Sequence, residues 1–181
     1  MFNINTFRSE LKYGGARTSL FQVTMTNPID TSADSKLPFM CKMASLPAST
    51  ITPIETHYFG RPIKLSGNRT FEDLNLTIIN DEDFKVRNAL EAWSNSINAL
   101  ERNIRTLPSS QTSLYKSTAE VQQLGQNGDI LRTYKFVGVW PTTIAQIDLD
   151  WSNEAVQEFQ CTFAVDYWYV SKSNTGDGGG R

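Results

Sequence analysis

The side chains best suited to catalysis or metal binding are few in this chain and lie far apart in the sequence. Its only histidine is His57, and its two cysteines are Cys41 and Cys161. A catalytic triad needs a histidine held between a carboxylate and a nucleophile, and a zinc site needs clustered Cys or His ligands. Since neither pattern is present, we predict that His57 is an exposed loop residue and that the protein uses no cofactor and no metal.

The two cysteines each lie in an apolar stretch. This placement favours buried free thiols, because free Cys is among the residue types most often buried. A disulfide stays open as an alternative. The strands that hold Cys41 and Cys161 could pair, and the sequence does not give the distance between them.

Three short groups of acidic side chains could supply paired carboxylates: Glu72-Asp73, Asp81 to Asp83, and Asp148 with Asp150. Two carboxylates of a glycosidase must face one cleft, and nothing in these positions requires that. The middle group lies at a predicted helix start, where the helix dipole favours acids. The glycines near the C-terminus precede no helix, so they cannot form a phosphate-binding loop. We predict that the protein is not an enzyme.

Length and composition favour one globular domain. The chain has 181 residues, 39% of them hydrophobic, and a formal net charge of −2. It has no basic cluster that would grip nucleic acid and no apolar run of the roughly 18 residues that a membrane span needs. Its N-terminus is too polar for a signal peptide. We expect an N-terminal segment at 1–19, a β domain at 20–170 and a disordered, glycine-rich tail at 171–181.

Alternating apolar and polar residues predict antiparallel strands along most of the chain. Strands are predicted at 20–26, 39–43, 71–80, 130–140 and 159–167, and the segment 147–151 alternates in the same way. Pro141 is expected to end the strand at 130–140. Gln126 to Asp129 is a hairpin turn, because Asn-Gly tolerates positive φ. The stretch 50–65 contains two prolines and Gly60, which indicates extended segments around a long loop.

One helix is predicted, at 81–100, with Asn80 or Asp81 as its cap. Apolar residues at spacings of 4, 3, 4 and 3 form a stripe down one face: Val86, Leu90, Trp93, Ile97 and Leu100. Such a helix docks on a sheet. The sequence therefore predicts a mainly β fold of seven or eight strands, an antiparallel β-sandwich or flattened barrel with one flanking α-helix.

Aromatic residues crowd the last predicted strand. Strict alternation puts Tyr167 and Tyr169 on one face and Trp168 on the other. Core packing and a surface covered by a partner are both consistent with this pattern.

The run from Gly60 to Asp83, GRPIKLSGNRTFEDLNLTIINDED, resembles the tail tube proteins of contractile-tailed, T4-like bacteriophages. Further blocks that resemble this family follow in the same order as in its members: 20–23, 39–48, 137–142, 149–151 and 159–168. The chain departs from the family pattern at 27–38, at 104–113 and after Trp168, where it is longer.

This resemblance implies a structural β-sandwich subunit, of a fold shared with type VI secretion tube proteins, that forms six-membered rings stacked into a hollow tube. The implied partners are further copies of the chain, the tail sheath protein, the tape measure protein and baseplate tube-initiator proteins. Double-stranded DNA would pass through the tube without specific binding. The implied location is the virion tail, assembled in the host cytoplasm, with no membrane anchor.

Within such a tube, the predicted loop at 56–69 would contact the adjacent ring. Arginine and aromatic residues are enriched at interfaces, so Tyr58, Phe59, Arg61 and Arg69 are the expected contacts, although Arg69 could instead pair with nearby Glu72 or Asp73. A polar strand face rich in Gln, Thr and Asp would line the lumen, and the helix would lie outside, towards the sheath.

Two alternatives share the predicted fold. One is a baseplate or terminal ring component of the same tube. The other is a carbohydrate-binding β-sandwich that uses the aromatic end of its last strand.

Overall fold

A computed structural model describes residues 3–11, 14–171 and 175–178. This part of the chain contains nine strands, three α-helices and two short 3-10 helices. The strands are β1 (Phe21–Met25), β2 (Cys41–Ser45), β3 (Ser49–Tyr58), β4 (Arg61–Phe71), β5 (Leu74–Ile79), β6 (Ser117–Leu124), β7 (Ile130–Ile144), β8 (Glu158–Ala164) and β9 (Tyr167–Val170). The helices are α1 (Ile4–Glu10), α2 (Leu37–Met40) and α3 (Lys85–Ile97).

Strand β7 joins two antiparallel sheets. Its first half pairs with β6 and β9, and its second half pairs with β8. The strand order is β1-β6-β7-β8-β5-β2, with β9 on the other side of β7. Strands β1 and β2, at the two ends of this path, approach each other. The result is a flattened barrel, so the predicted mainly β antiparallel fold is confirmed.

Helix α3 closes the core, which fills the space between the two sheets. Trp93 is fully buried. Its indole Nε1 donates a hydrogen bond to the Tyr115 carbonyl at 2.8 Å, and its ring centroid lies 6.3 Å from that of Phe163. The predicted apolar stripe is confirmed for Val86, Leu90 and Trp93, because a helix buries positions spaced by three and four residues.

The predicted bounds of α3 are wrong at both ends, since the helix spans Lys85–Ile97 and not 81–100. Asp81 and Asp83 lie before it and bind Lys36 Nζ at 2.7 and 2.5 Å. Asp83 also accepts a hydrogen bond from the Lys85 backbone N–H. The acids are therefore drawn towards a lysine on a distant segment instead of occupying the first helical turn.

Four strand predictions also need correction. Strand β7 continues through Pro141 to Ile144, because a register shift after Pro141 accommodates the proline. Residues 147–151 form no strand and belong to an exposed loop. The strand predicted at 159–167 is two strands, β8 and β9, separated by a turn in which Asp166 N–H donates to the Val137 carbonyl. Strand β2 begins at Cys41, since α2 takes up the residues before it.

The remaining features of the fold are the two ends of the chain and the two cysteines. Helix α1 buries none of its residues. In the glycine-rich tail, Thr175 Oγ1 donates to the Leu131 carbonyl at 2.7 Å, while 172–174 and 179–181 lie outside the described residues. The division into segments 1–19, 20–170 and 171–181 stays a prediction. Cys41 and Cys161 are free thiols, and only Cys161 is fully buried.

Candidate assembly surfaces

Strands β3 and β4 form a long hairpin that is a separate two-stranded sheet. Its turn consists of Phe59 (φ 46°) and Gly60 (φ 78°). Two positive φ values give a type I′ turn, whose twist matches that of the flanking strands. The long loop predicted within 50–65, and at 56–69, is therefore wrong. His57 is exposed as predicted, but it lies on strand β3 and not in a loop.

The hairpin has one apolar face and one polar face. Register places Ile54 opposite Leu65, Thr56 opposite Ile63, and Tyr58 opposite Arg61, and these pairs share a face because side chains alternate along a strand. The opposite face carries Glu55 with Lys64 and His57 with Pro62. Glu55 and Lys64 form an ion pair at 3.6 Å.

The apolar face of the hairpin is open to solvent in the single subunit. The exposed fractions of Ile54, Ile63, Leu65 and Tyr58 are 56, 51, 55 and 67%. Phe59 at the tip is 91% exposed, with its ring 4.6 Å from that of Tyr58. Contiguous exposed apolar patches on soluble proteins mark interaction sites. The hairpin is thus the main candidate surface for assembly.

The structure brings together three of the four predicted contact residues, Tyr58, Phe59 and Arg61, at the hairpin tip. It separates Arg69 from them. Between the pairs Ile51–Arg69 and Pro53–Ser66, β4 contains one residue more than β3. This bulge turns Arg69 to the opposite face. No ion pair involves Arg61 or Arg69 in the described chain, so Arg69 does not bind Glu72 or Asp73.

The prediction missed Ile54, Ile63 and Leu65, which supply most of the apolar face. Their signal was present: Ile54, Thr56 and Tyr58 alternate before the turn, and Ile63 and Leu65 alternate after it. Pro53 and Pro62 hid this alternation, because proline usually interrupts a strand.

Aromatic packing fixes the base of the hairpin to the barrel. The Trp168 ring lies 6.2 Å from Phe71 on β4 and 5.9 Å from Tyr134 on β7. Tyr167 and Tyr169 stack on the outer face of the sheet, 6.4 Å apart. The predicted alternation is therefore confirmed: Trp168 packs inward, and the two tyrosines remain at the surface.

A polar face covers the outside of β5 and β8. Asn75 lies opposite Thr162, and Thr77 lies opposite Gln160. Thr162 Oγ1 donates to Asn75 Oδ1 at 2.7 Å. This face presents hydroxyl and amide groups together with Glu158, which forms an ion pair with Lys42 of β2 at 2.5 Å, while Asp166 lies in the turn after β8. Which residues line the lumen stays a prediction.

The described part of the chain contains no group of three or more His, Cys, Asp or Glu side chains suited to a metal ion. Among the same residues, no helix has both the length and the apolar character needed to cross a membrane.

Comparison with known proteins identifies the family of this chain. The family model described as phage tail tube protein matches residues 4–171. The chain belongs to the phage tail tube protein family. It is 33% identical over 155 residues to the tail tube protein gp19 of Enterobacteria phage T4, covering 84% of this chain and 90% of gp19.

Two solved structures show the same tail tube fold. A chain of the PVC sheath–tube complex, from an extracellular contractile injection system in its extended state, has a TM-score of 0.60 at 15% identity and covers 94% of this chain and 99% of its own length. A type six secretion system protein has a TM-score of 0.52 at 14% identity, covering 88% and 89%. The predicted family, fold, structural role and location in a virion tail are confirmed.

Proposed function

We propose that this tail tube protein forms hexameric rings that stack into the tube of a contractile phage tail, without catalysing a reaction. The observation that carries the proposal is the exposed apolar face of the β3–β4 hairpin, which has no covering partner in the single subunit. A neighbouring copy would bury Ile54, Ile63 and Leu65, with Tyr58, Phe59 and Arg61 at the tip and Arg69 on the other face. Burial of such apolar area drives association.

The polar face of β5 and β8 is our candidate for the lumen wall. It carries the hydroxyl and amide groups of Asn75, Thr77, Gln160 and Thr162, and Lys42 at its edge is paired with Glu158. Neutralisation of phosphates by Lys and Arg supplies most nonspecific affinity, so a wall whose lysine is already paired with a carboxylate lets a duplex pass with little binding. The tape measure protein would occupy the same channel before DNA does.

Helix α3 is our candidate for the outside of the tube. Its exposed side carries Lys85, Glu91 and Asn95, and a sheath protein would meet this side. The PVC chain to which this protein is similar in fold comes from a sheath–tube complex. Baseplate tube-initiator proteins would add the first ring.

Negative-stain electron microscopy of the purified protein, with light scattering, tests the proposal. We expect six-fold rings or hollow filaments, and a monodisperse monomer at all concentrations would contradict it.

Copy number separates the main tube from a baseplate or terminal ring of the same fold. Quantitative mass spectrometry of virions should find many six-copy rings per particle, whereas a single ring would favour the alternative.

A further inference from the structure

Two exposed loops leave the subunit at opposite ends of α3. Residues 145–157, the acidic loop, are tied next to the start of α3 through the Gln157 carbonyl, which accepts from Asn80 N–H at 2.8 Å. Residues 98–106, the arginine loop, follow the end of α3 directly. Since α3 has 13 residues, the helix between them is about 20 Å long.

The acidic loop combines charge with exposed apolar side chains. It contains Asp148, Asp150 and Glu154 and no lysine or arginine. Trp151 is fully exposed and Leu149 is 83% exposed. The Asp150 carboxylate accepts hydrogen bonds from Ser152 N–H and Oγ at 2.9 and 2.7 Å, which stabilises the turn that carries the tryptophan.

The arginine loop carries a net positive charge and exposed aliphatic side chains. Its charged residues are Arg102, Arg105 and Glu101, and its apolar side chains Leu100 and Ile104 are 85 and 60% exposed. Ala99 N–H donates to the Ile104 carbonyl at 3.0 Å and closes the loop.

None of the charged groups of either loop has an ion-pair partner within the described chain. The two loops are complementary in net charge: carboxylates and a tryptophan dominate one, and two guanidinium groups dominate the other. Guanidinium groups pair with carboxylates and stack on Trp rings. The loops lie near opposite ends of one helix, and no ion pair joins them within the described subunit.

We propose that the acidic loop of one copy binds the arginine loop of the next copy, in a head-to-tail contact between tube subunits. Such a heterologous interface repeats in one direction and produces a ring or a stack. The inference rests on the proposed self-assembly into a tube and adds a second contact to that of the hairpin. Opposite charges on the two loops of each subunit also favour a single orientation.

Charge exchange between the loops tests this contact. The first variant is Asp148→Lys with Glu154→Lys, the second is Arg102→Glu with Arg105→Glu, and the third carries all four substitutions. We expect the polymer-forming concentration of the first two to rise at least about tenfold, and that of the third to return to within about threefold of wild type. Thermal melting of the unassembled proteins should match wild type, since all four residues are exposed.

Wild-type-like assembly by either two-residue variant overturns the loop contact, and so does a folded four-residue variant that fails to recover. In both cases wild-type polymer would still support the tube. Failure of the wild-type protein itself to polymerise would instead count against the proposed function, on which the contact depends.

Discussion

Ile54 and Leu65 lie directly opposite each other across the β3–β4 ladder, and each is more than half exposed, at 56 and 55%. Directly opposite side chains on one face of a strand pair form a contiguous surface. In a single subunit this surface faces water, which is unfavourable for two large aliphatic residues. The pair therefore gives the proposed assembly its most specific test.

Replacing both residues with serine should weaken assembly and leave the fold intact. Full burial of one aliphatic side chain contributes roughly 1.5–3 kcal/mol. Each of these two is only about half exposed, so covering both contributes about that much together, and about 1.4 kcal/mol corresponds to a tenfold change in affinity. We expect the polymer-forming concentration of Ile54→Ser with Leu65→Ser to rise about 10- to 100-fold, measured by sedimentation. The control is Glu55→Ser with Lys64→Ser, the neighbouring pair on the polar face, which should shift it less than about threefold.

Trp93 should dominate the stability of the single subunit. It is 0% exposed and donates to the Tyr115 carbonyl, so Trp93→Ala leaves a cavity and an unpaired acceptor. We expect a loss of about 3–5 kcal/mol in the free energy of unfolding, measured by urea denaturation. Trp151→Ala, the same change at a fully exposed residue, should stay within about 0.5 kcal/mol. Equal effects of the two changes would show that α3 does not close the core.

Gly138 should tolerate no side chain. Its φ is 74°, and a Cβ there would clash with the Asp166 carboxylate, which binds Lys116 Nζ at 2.6 Å. Gly138→Ala should be destabilising by at least about 1 kcal/mol more than Gly128→Ala. Gly128 has a similar φ of 83° with open space around it, so alanine there meets the same backbone strain without the clash. Thermal melting measures both. A larger loss for Gly128→Ala would contradict the packing of the β8–β9 turn on β7.

The thiols should react slowly in the folded protein. Burial raises the pKa of Cys161 to about 12 and that of Cys41 to about 11, and only the thiolate attacks disulfide reagents. At pH 8 we expect Ellman's reagent to modify Cys41 slowly and Cys161 only after unfolding in urea. The variant Cys41→Ser isolates Cys161. Fast modification of that native variant would show that Cys161 is accessible.

Local sequence patterns were sufficient to predict the helix and strands that bury one face against the core. The stripe of α3 and the alternation of β1, β5 and β8 follow directly from burial against the core. The hairpin was missed because Pro53 and Pro62 usually interrupt strands. In this exposed two-stranded ribbon the edges are not part of a larger sheet, so the missing N–H groups disrupt no wider ladder.

Local sequence patterns did not predict contacts between residues that lie far apart in the chain. Asp81 and Asp83 suit a helix start, but Lys36, which binds both, lies 45 residues before Asp81. The split of 159–167 into β8 and β9 likewise depends on pairing of Tyr167 with Val137 on β7. Such partners follow from the tertiary fold and leave no periodic signal in the chain.

A cryo-electron microscopy reconstruction of the assembled protein tests the central claim most directly. We predict six copies in each ring around an open channel, with Ile54 and Leu65 of every copy buried against a neighbouring copy. A polymer of another symmetry, or six-fold rings in which the apolar face of the hairpin stays exposed to solvent, would contradict it.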